Sequence, residues 1–409
     1  MHHYFATRLY DLWKRTQSVR ETGEPFGTEV IMEMAAEMLK KGEKVFLHAE
    51  SVSSTTPPRH LMNEMQKALK NRAGGAVAPF LGESKLREAI AKRSKWFAGV
   101  TVDPESEVLV TAGSMQAIYF AMQAILNPGD EVIMVAPNFF FDIPVELASG
   151  KPIFIPLSYE NGFKHDAEKF REKVTNKTKM IIICSPHNPT GRVLTEDELR
   201  GIADLAKEYD LLILHDEVYD GFTFDGRQHI SLLSFKDVRD RVISIHSFSK
   251  LYFMLNFRLG YAIANKEIIE RMVLPLTYSS MGVPNFIQYG AAAALEEDWE
   301  KRHLKRVVSK LQKYRDYVVK RFNEVEGLLC IKPEGTNLVL TSIEKLGLSS
   351  MEFAKYVLKE GKVAVAPGNS YHAEGYFRFT LGLSDTTLEA ADRVADTAAK
   401  LAKRLEGER

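Results

Sequence analysis

The chain has 409 residues, room for one large domain and a smaller one, and its composition is that of an ordinary globular protein. Lys+Arg and Asp+Glu both number 54, so no basic excess points to nucleic acid or an anionic membrane surface as partner. No stretch approaches a membrane span, the N-terminus lacks the apolar core of a signal peptide, and Cys184 and Cys330 read as buried thiols rather than a disulfide, so a cytoplasmic protein without a metal site is expected.

Taken in order, residues 4–17 have helical spacing, and 28–41 form a clear helix with Val30, Ile31, Met34, Ala35 and Met38 on one face. Residues 45–47 are a short strand, 49–58 a polar loop, 59–69 a helix, 71–82 a Gly/Ala loop and 86–97 a helix. From residue 107 strands and helices alternate. Strands are expected at 108–110, 131–135, 152–156, 180–184, 211–214, 242–245 and 261–263. Helices are expected at 115–126, 140–149, 166–174 and 195–209, the last with Thr195 and Glu198 as a capping box. This pattern predicts an α/β fold: a doubly wound, mostly parallel sheet. Helices at 288–296 and 298–325 follow. Then the pattern becomes α+β, with strands at 328–332, 338–341, 363–366 and 377–381 and helices at 350–359 and 387–405. The expected division is 1–58 contributing to a small domain, 59–297 as the large domain and 298–409 as the small one, so that both chain ends build the smaller unit.

The chemistry gathers at strand ends, where open α/β sheets place ligands. Lys250 lies just past the strand at 242–245. A partly desolvated lysine there could form a Schiff base with an aldehyde, and Arg258, Ser247 and Ser249 could hold a phosphate, which together suggest pyridoxal phosphate. The alternative is that Lys250 and Arg258 are ordinary ion-paired loop charges. Gly113-Ser114-Met115-Gln116 opens a helix and offers backbone N–H groups and a hydroxyl to an anion, or is a plain cap. In Pro137-Asn138-Phe139-Phe140-Phe141 one ring, Phe139 by choice, could stack on a flat cofactor; at least one of the three is core. Asn188, in Ser185-Pro186-His187-Asn188-Pro189-Thr190-Gly191, could donate to a phenolate and a carboxylate, or merely mark a turn. Asp216 ends an apolar strand, where a carboxylate needs a partner. A protonated pyridine nitrogen suits it, with Tyr219 three residues on; a helix-capping role is the other reading. Arg378, in an alternating strand, suits a carboxylate clamp, or is a surface residue on an edge strand.

These motifs, T-A-G-S-M-Q-A-I, S-P-H-N-P-T-G, D-E-V-Y, S-F-S-K with R-L-G-Y after it, and the late F-R-F, resemble in order and near spacing the fold type I aminotransferases, the class I/II pyridoxal-phosphate enzymes, over residues 28–405. The resemblance implies a homodimer with active sites at the subunit interface, moving an amino group between an L-amino acid and a 2-oxo acid. It implies that Lys250 carries the cofactor and shuttles the proton, that Asp216 pairs the ring nitrogen, and that Asn188 and Tyr219 bind the ring oxygen. By the same resemblance Phe139 stacks on the ring, Ser114, Met115, Ser247 and Arg258 hold the phosphate, and Arg378, helped by Asn188, takes the substrate carboxylate. Three departures fall on the substrate side: Leu47–Ser53 replaces a G-x-P-D-like segment, Val77 stands about where a tyrosine is usual, and Asn337 replaces an aromatic. They leave room for a lyase, a decarboxylase, or a cyclising or oxidising enzyme with the same cofactor. A regulatory protein on this fold is the remote alternative. Phe26, Phe80 and Tyr252 hint at an apolar substrate pocket or belong to the core.

Overall fold

The computed structural model describes residues 27–50, 56–71 and 78–407. The helix expected at 4–17, Phe26, Val77 and residues 51–53 of the substrate-side segment lie outside them. The described chain begins with α1 (Gly27–Lys40), β1 (Phe46–Leu47), α2 (Arg59–Lys70), α3 (Ser84–Ala98), β2 (Val108–Thr111), α4 (Ser114–Ile125) and β3 (Glu131–Ala136). It continues through α5 (Asp142–Leu147), β4 (Lys151–Pro156), α6 (Ala167–Arg171), β5 (Thr178–Cys184), α7 (Glu196–Glu208), β6 (Leu212–Asp216), β7 (Val242–Ser247), α8 (Phe248–Leu251) and β8 (Gly260–Ile263).

Seven of these strands make one sheet in the order β2-β8-β7-β6-β5-β3-β4. All pairs are parallel except those of β8, which runs antiparallel to β7 and β2. The near-continuous apolar strands follow from burial on both faces. Because successive side chains point to opposite faces, Ile181 and Ile183 enter one core while Met180, Ile182 and Cys184 enter the other. Both cysteines are buried free thiols. Thr195 caps α7 and closes the expected capping box with Glu198.

Beyond the sheet come α9 (Lys266–Ser280), α10 (Asn285–Ala294), α11 (Glu297–Asn323), β9 (Leu329–Cys330), β10 (Leu338–Ser342), α12 (Ser350–Tyr356), β11 (Val363–Ala364), β12 (Ala366–Pro367), β13 (Tyr376–Thr380) and α13 (Thr386–Gly407). A four-stranded antiparallel sheet, β12-β13-β10-β9, forms the smaller α+β unit. β1 pairs in parallel with β11, so a segment from early in the chain joins late strands.

The differences from the sequence expectations have physical causes. The helix expected at 140–149 is limited to α5, because Phe140 takes a left-handed φ of 53°. That expected at 166–174 shrinks to α6, with Asp166 as its cap. Residues 350–359 start as α12 but widen into a π-turn over Val357–Gly361. The strand expected at 363–366 is split between two sheets at Val365. α9 was not expected at all. Pro275 inside it reads as a breaker, yet Asn265 caps it and Ile268, Ile269, Met272 and Leu276 bury one face against α4.

Candidate active site

Lys250 owes its place to the antiparallel turn between β7 and β8. Ser247 is paired with Gly260, and Phe248 N donates to Leu259 O at 3.0 Å, so the two ends of the connection are pinned together. The short α8 carries Lys250 out of one end, capped by Ser247 Oγ, which accepts from Ser249 N at 3.1 Å. Arg258 returns at the other end with a left-handed φ of 47°, and its Nη1 donates to Ser249 Oγ at 3.3 Å and to Leu255 O at 2.9 Å. Ser249 thus touches Arg258 directly, while Ser247 Oγ accepts the capping bond and keeps its own hydrogen to donate.

Arg258 also lies against the N-terminus of α4. A Cβ on Gly113, which has φ of 85°, would meet the Arg258 guanidinium at 2.4 Å, and one on Gly260 would meet Ser114 N at 2.6 Å. Only glycines allow this approach. A guanidinium held at the positive end of a helix, beside Ser114 and Met115, favours an anion between them.

Asp216, buried at the end of β6, accepts from Val218 N at 3.1 Å. Burial is the main reason its carboxyl is pushed up to about 7, with the neighbouring Glu217 charge adding and Lys250 opposing. Burial likewise brings Lys250 down to about 7, helped by the Arg378 and Arg258 charges and opposed by Asp216 and Glu50. Lys250 Nζ sits 5.9 Å from the centre of the buried Tyr219 ring. So an acid and an amine, each near neutral proton affinity, share one electrostatic neighbourhood at adjacent strand ends.

Arg378 lies on β13 between Leu340 and Ala366 and is buried, not an exposed edge residue. Its Nη1 donates to Asn188 Oδ1 at 3.0 Å and its Nη2 to Ala49 O at 2.8 Å. Its guanidinium stands 4.2 Å from the centre of the Tyr371 ring. Phe139, half-buried, is 4.8 Å from Phe140 and 6.3 Å from Tyr371 between ring centres. The Asn138 loop is tied to the same place, since Asn138 N donates to Tyr371 O at 3.0 Å. The structure therefore gathers Asn188, Arg378 and Phe139 around Tyr371, a residue sequence reasoning missed. Its signal was an aromatic in the polar Gly368–Tyr371 turn just ahead of β13.

Other expectations fare differently. Tyr252 is core, with its hydroxyl donating to Glu300 Oε1 at 2.7 Å, and Phe80 is exposed on this chain. Asn337 is a buried clip: its Nδ2 donates to Leu381 O at 3.1 Å and Leu381 N donates back to Asn337 O at 2.7 Å. No helix of the described residues is long and apolar enough to cross a membrane. His215, Glu217 and His229 do come together, with ligand-type atoms within 4.8 Å of one another, in a hydrogen-bonded cluster behind Asp216.

A doubly wound sheet with an amine, an acid and a guanidinium beside a helix N-terminus at its strand ends, faced by a buried guanidinium from the smaller sheet, is an arrangement suited to group transfer on small anionic substrates. The family profile described as aminotransferase class I and II matches residues 47–394. The chain is 36% identical to aromatic-amino-acid aminotransferase 2 of Thermococcus litoralis over 82% of this chain and 86% of that one. It is 37% identical to aspartate aminotransferase of Pyrococcus abyssi, again over 82% and 86%. Among solved structures it is similar to an aromatic aminotransferase from Pyrococcus horikoshii, with TM-score 0.84 and 33% identity over 91% of this chain and 99% of that one. The chain belongs to the class I and II aminotransferases and is an amino acid aminotransferase of the fold type I architecture.

Proposed function

We propose that the chain is a pyridoxal-phosphate enzyme that moves an amino group between an L-amino acid and a 2-oxo acid in two half-reactions, through Lys250. The observation that carries this reading is Arg378: a buried guanidinium whose hydrogen-bond partners among the described residues are neutral oxygens, on the same site as Lys250. A buried guanidinium that has no carboxylate within ion-pair distance among the described residues is suited to take one, and a substrate carboxylate held by Arg378 and Asn188 would supply it.

The residues fit the cofactor. The anion cradle of Ser114, Met115, Ser247, Ser249 and Arg258 suits its phosphate, Asp216 its ring nitrogen, Tyr219 and Asn188 its ring oxygen, and Phe139 its flat face. When bound, the cofactor supplies an aldehyde carbon and an electron-withdrawing ring. Lys250 Nζ is the amine that would carry that aldehyde and, once displaced by the substrate's amine, would take the proton from the substrate's Cα. Its lowered proton affinity leaves it free to accept this proton near neutral pH. Asp216, buried and reluctant to ionise alone, becomes a carboxylate when a cation faces it, which holds the ring protonated.

The same reading includes a homodimer, supported by the exposed apolar side chains Leu274, Tyr278 and Met281 at the end of α9 and Phe80 nearby. It includes the boundaries at 58 and 297, supported by the pairing of β1 with β11, and a cytoplasmic location, supported by the two free buried cysteines. The test is a visible absorption spectrum of the protein with pyridoxal phosphate, before and after amino acids are added without any oxo acid. A new visible band that is lost on adding amino acid, and returns with a 2-oxo acid, is expected. A band that persists while ammonia, carbon dioxide or peroxide appears would replace this reading, and no band at all would overturn the cofactor assignment.

A further inference from the structure

Behind the site runs a continuous line of buried side chains that the reaction as described does not use. It starts at Glu217, the residue after Asp216, whose carboxylate takes hydrogen bonds from Ser231 Oγ at 2.9 Å and Ser244 Oγ at 2.5 Å and pairs with His229 Nε2 at 2.5 Å. Ser244 Oγ also lies 2.7 Å from His246 Nε2. The other His246 nitrogen, Nδ1, lies 3.3 Å from Asp220 Oδ2. Both ring nitrogens of His246 are thus engaged, one with Ser244 and one with Asp220, and the ring is stacked on Tyr261 of β8 at 4.6 Å.

From Asp220 the line passes to Arg93 of α3, whose Nη1 and Nη2 reach the carboxylate at 2.7 and 3.1 Å. Arg93 Nε donates to Glu300 of α11 at 2.8 Å. Glu300 Oε1 accepts from Tyr252, two residues after Lys250, at 2.7 Å. One end is thus covalently next to Asp216 and the other is on the turn that carries Lys250. Between them, β6, β7, α3 and α11 are bound by directed contacts in an interior where unmet polar groups are expensive.

Resting on the reading above, we propose that this line of hydrogen bonds is a positioning device for amino transfer: it sets the placement of Lys250 relative to Asp216, with His246 as its central link and Tyr252 as its end. An apolar core would fill the same volume without fixing distance, whereas a series of directed bonds tolerates only small changes in it. His246 and Tyr252 are positioning residues; neither is placed against cofactor or substrate.

Two shape-preserving variants test this. His246→Phe keeps the ring stack and removes both ring nitrogens; Tyr252→Phe keeps the ring and removes one hydroxyl. The first readout needs no cofactor. In the purified full chain without pyridoxal phosphate, the pH dependence of Lys250 acylation by acetic anhydride is followed by peptide mass. The groups facing Lys250 are Arg378, Arg258, Asp216 and Glu50. A loosened turn lets water reach Nζ, so the midpoint should rise toward that of an ordinary lysine by about half a pH unit or more. The second readout is amino transfer, where kcat should fall about tenfold in His246→Phe and several-fold in Tyr252→Phe with KM little changed. An unmoved acylation midpoint together with parental kcat in both variants, even if thermal stability drops, would reduce the line to a structural brace and overturn the proposal. Because acylation is read without cofactor, it still decides the matter if the cofactor assignment fails.

Discussion

Four arginines are buried among the described residues, and three of them sit within ion-pair distance of a carboxylate. Arg87 faces Glu105, Arg93 faces Asp220 and Glu300, and Arg315 faces Asp225 and Asp316. Arg378, only 2% exposed, has the Asn188 side chain, the Ala49 carbonyl and the Tyr371 ring instead. Arg93 is closed by direct ion pairs, whereas Arg378 has the Glu29 charge only at longer range and no carboxylate within ion-pair distance among the described residues. A scaffold neutralises its own buried charge, because an uncompensated one destabilises the fold. A binding site leaves the compensation to its ligand and carries the instability meanwhile.

This contrast can be broken in several ways. The largest effect should come from Lys250→Ala: the visible band formed with pyridoxal phosphate and the transfer activity should vanish together, with activity down by about 10⁴-fold or more. Activity that survives would place the chemistry elsewhere. Next, Arg378→Met should lower kcat/KM for amino acids by about 10²- to 10³-fold while changing folding stability by less than about 1 kcal/mol. Arg93→Met should do the reverse on stability, losing roughly 3–5 kcal/mol in urea unfolding, because it strands Asp220 and Glu300. Equal destabilisation by the two would erase the distinction.

The pH dependence of stability without cofactor sharpens it. Lys250 is depressed from 10.5 to about 7, so the folded state disfavours its charged form. That penalty is fully present below pH 7, declines as pH rises, and is gone above about 10.5. Lys250→Met should therefore raise Tm over the parent most at pH 7 and below, with the gain fading toward alkaline pH. Asp216 is raised from 3.8 to about 7, so its penalty is full above pH 7 and gone below about 4. Asp216→Asn should raise Tm most above pH 7, with the gain fading toward acid. Parallel Tm curves for parent and variants would show that neither group is strained by the fold. The smallest effect is that of Tyr371→Leu, which should raise KM for amino acids several-fold through loss of the ring under the guanidinium, a contact worth about 0.5–2 kcal/mol. An unchanged KM would mean that Arg378 is held by Asn188 and Ala49 alone.

How much was legible beforehand varies with the range of the interaction. The α7 capping box, the buried strand β5 and the polar residues at strand ends were readable because each depends on neighbours within a few residues. α9 was not, because Pro275 argues locally against a helix that packing on α4 stabilises. The Arg378–Tyr371 stack and the Arg258–Ser249 contact were hidden for the same reason: they depend on where the β7–β8 turn and the Gly368–Tyr371 turn come to rest.

By itself, the sequence determined that this is an alternating α/β chain with Lys250, Asp216 and Ser114 just at or past strand ends and Arg378 within a late strand. Periodicity, capping and motif spacing act over short stretches of chain. Only the tertiary structure decided which charges are closed by ion pairs and which are not. Arg93 meets Asp220 across 127 residues and Arg378 meets Asn188 across 190. Whether a buried charge finds a counter-charge depends on the packing of distant segments, and neither arginine's own neighbours in sequence state the answer.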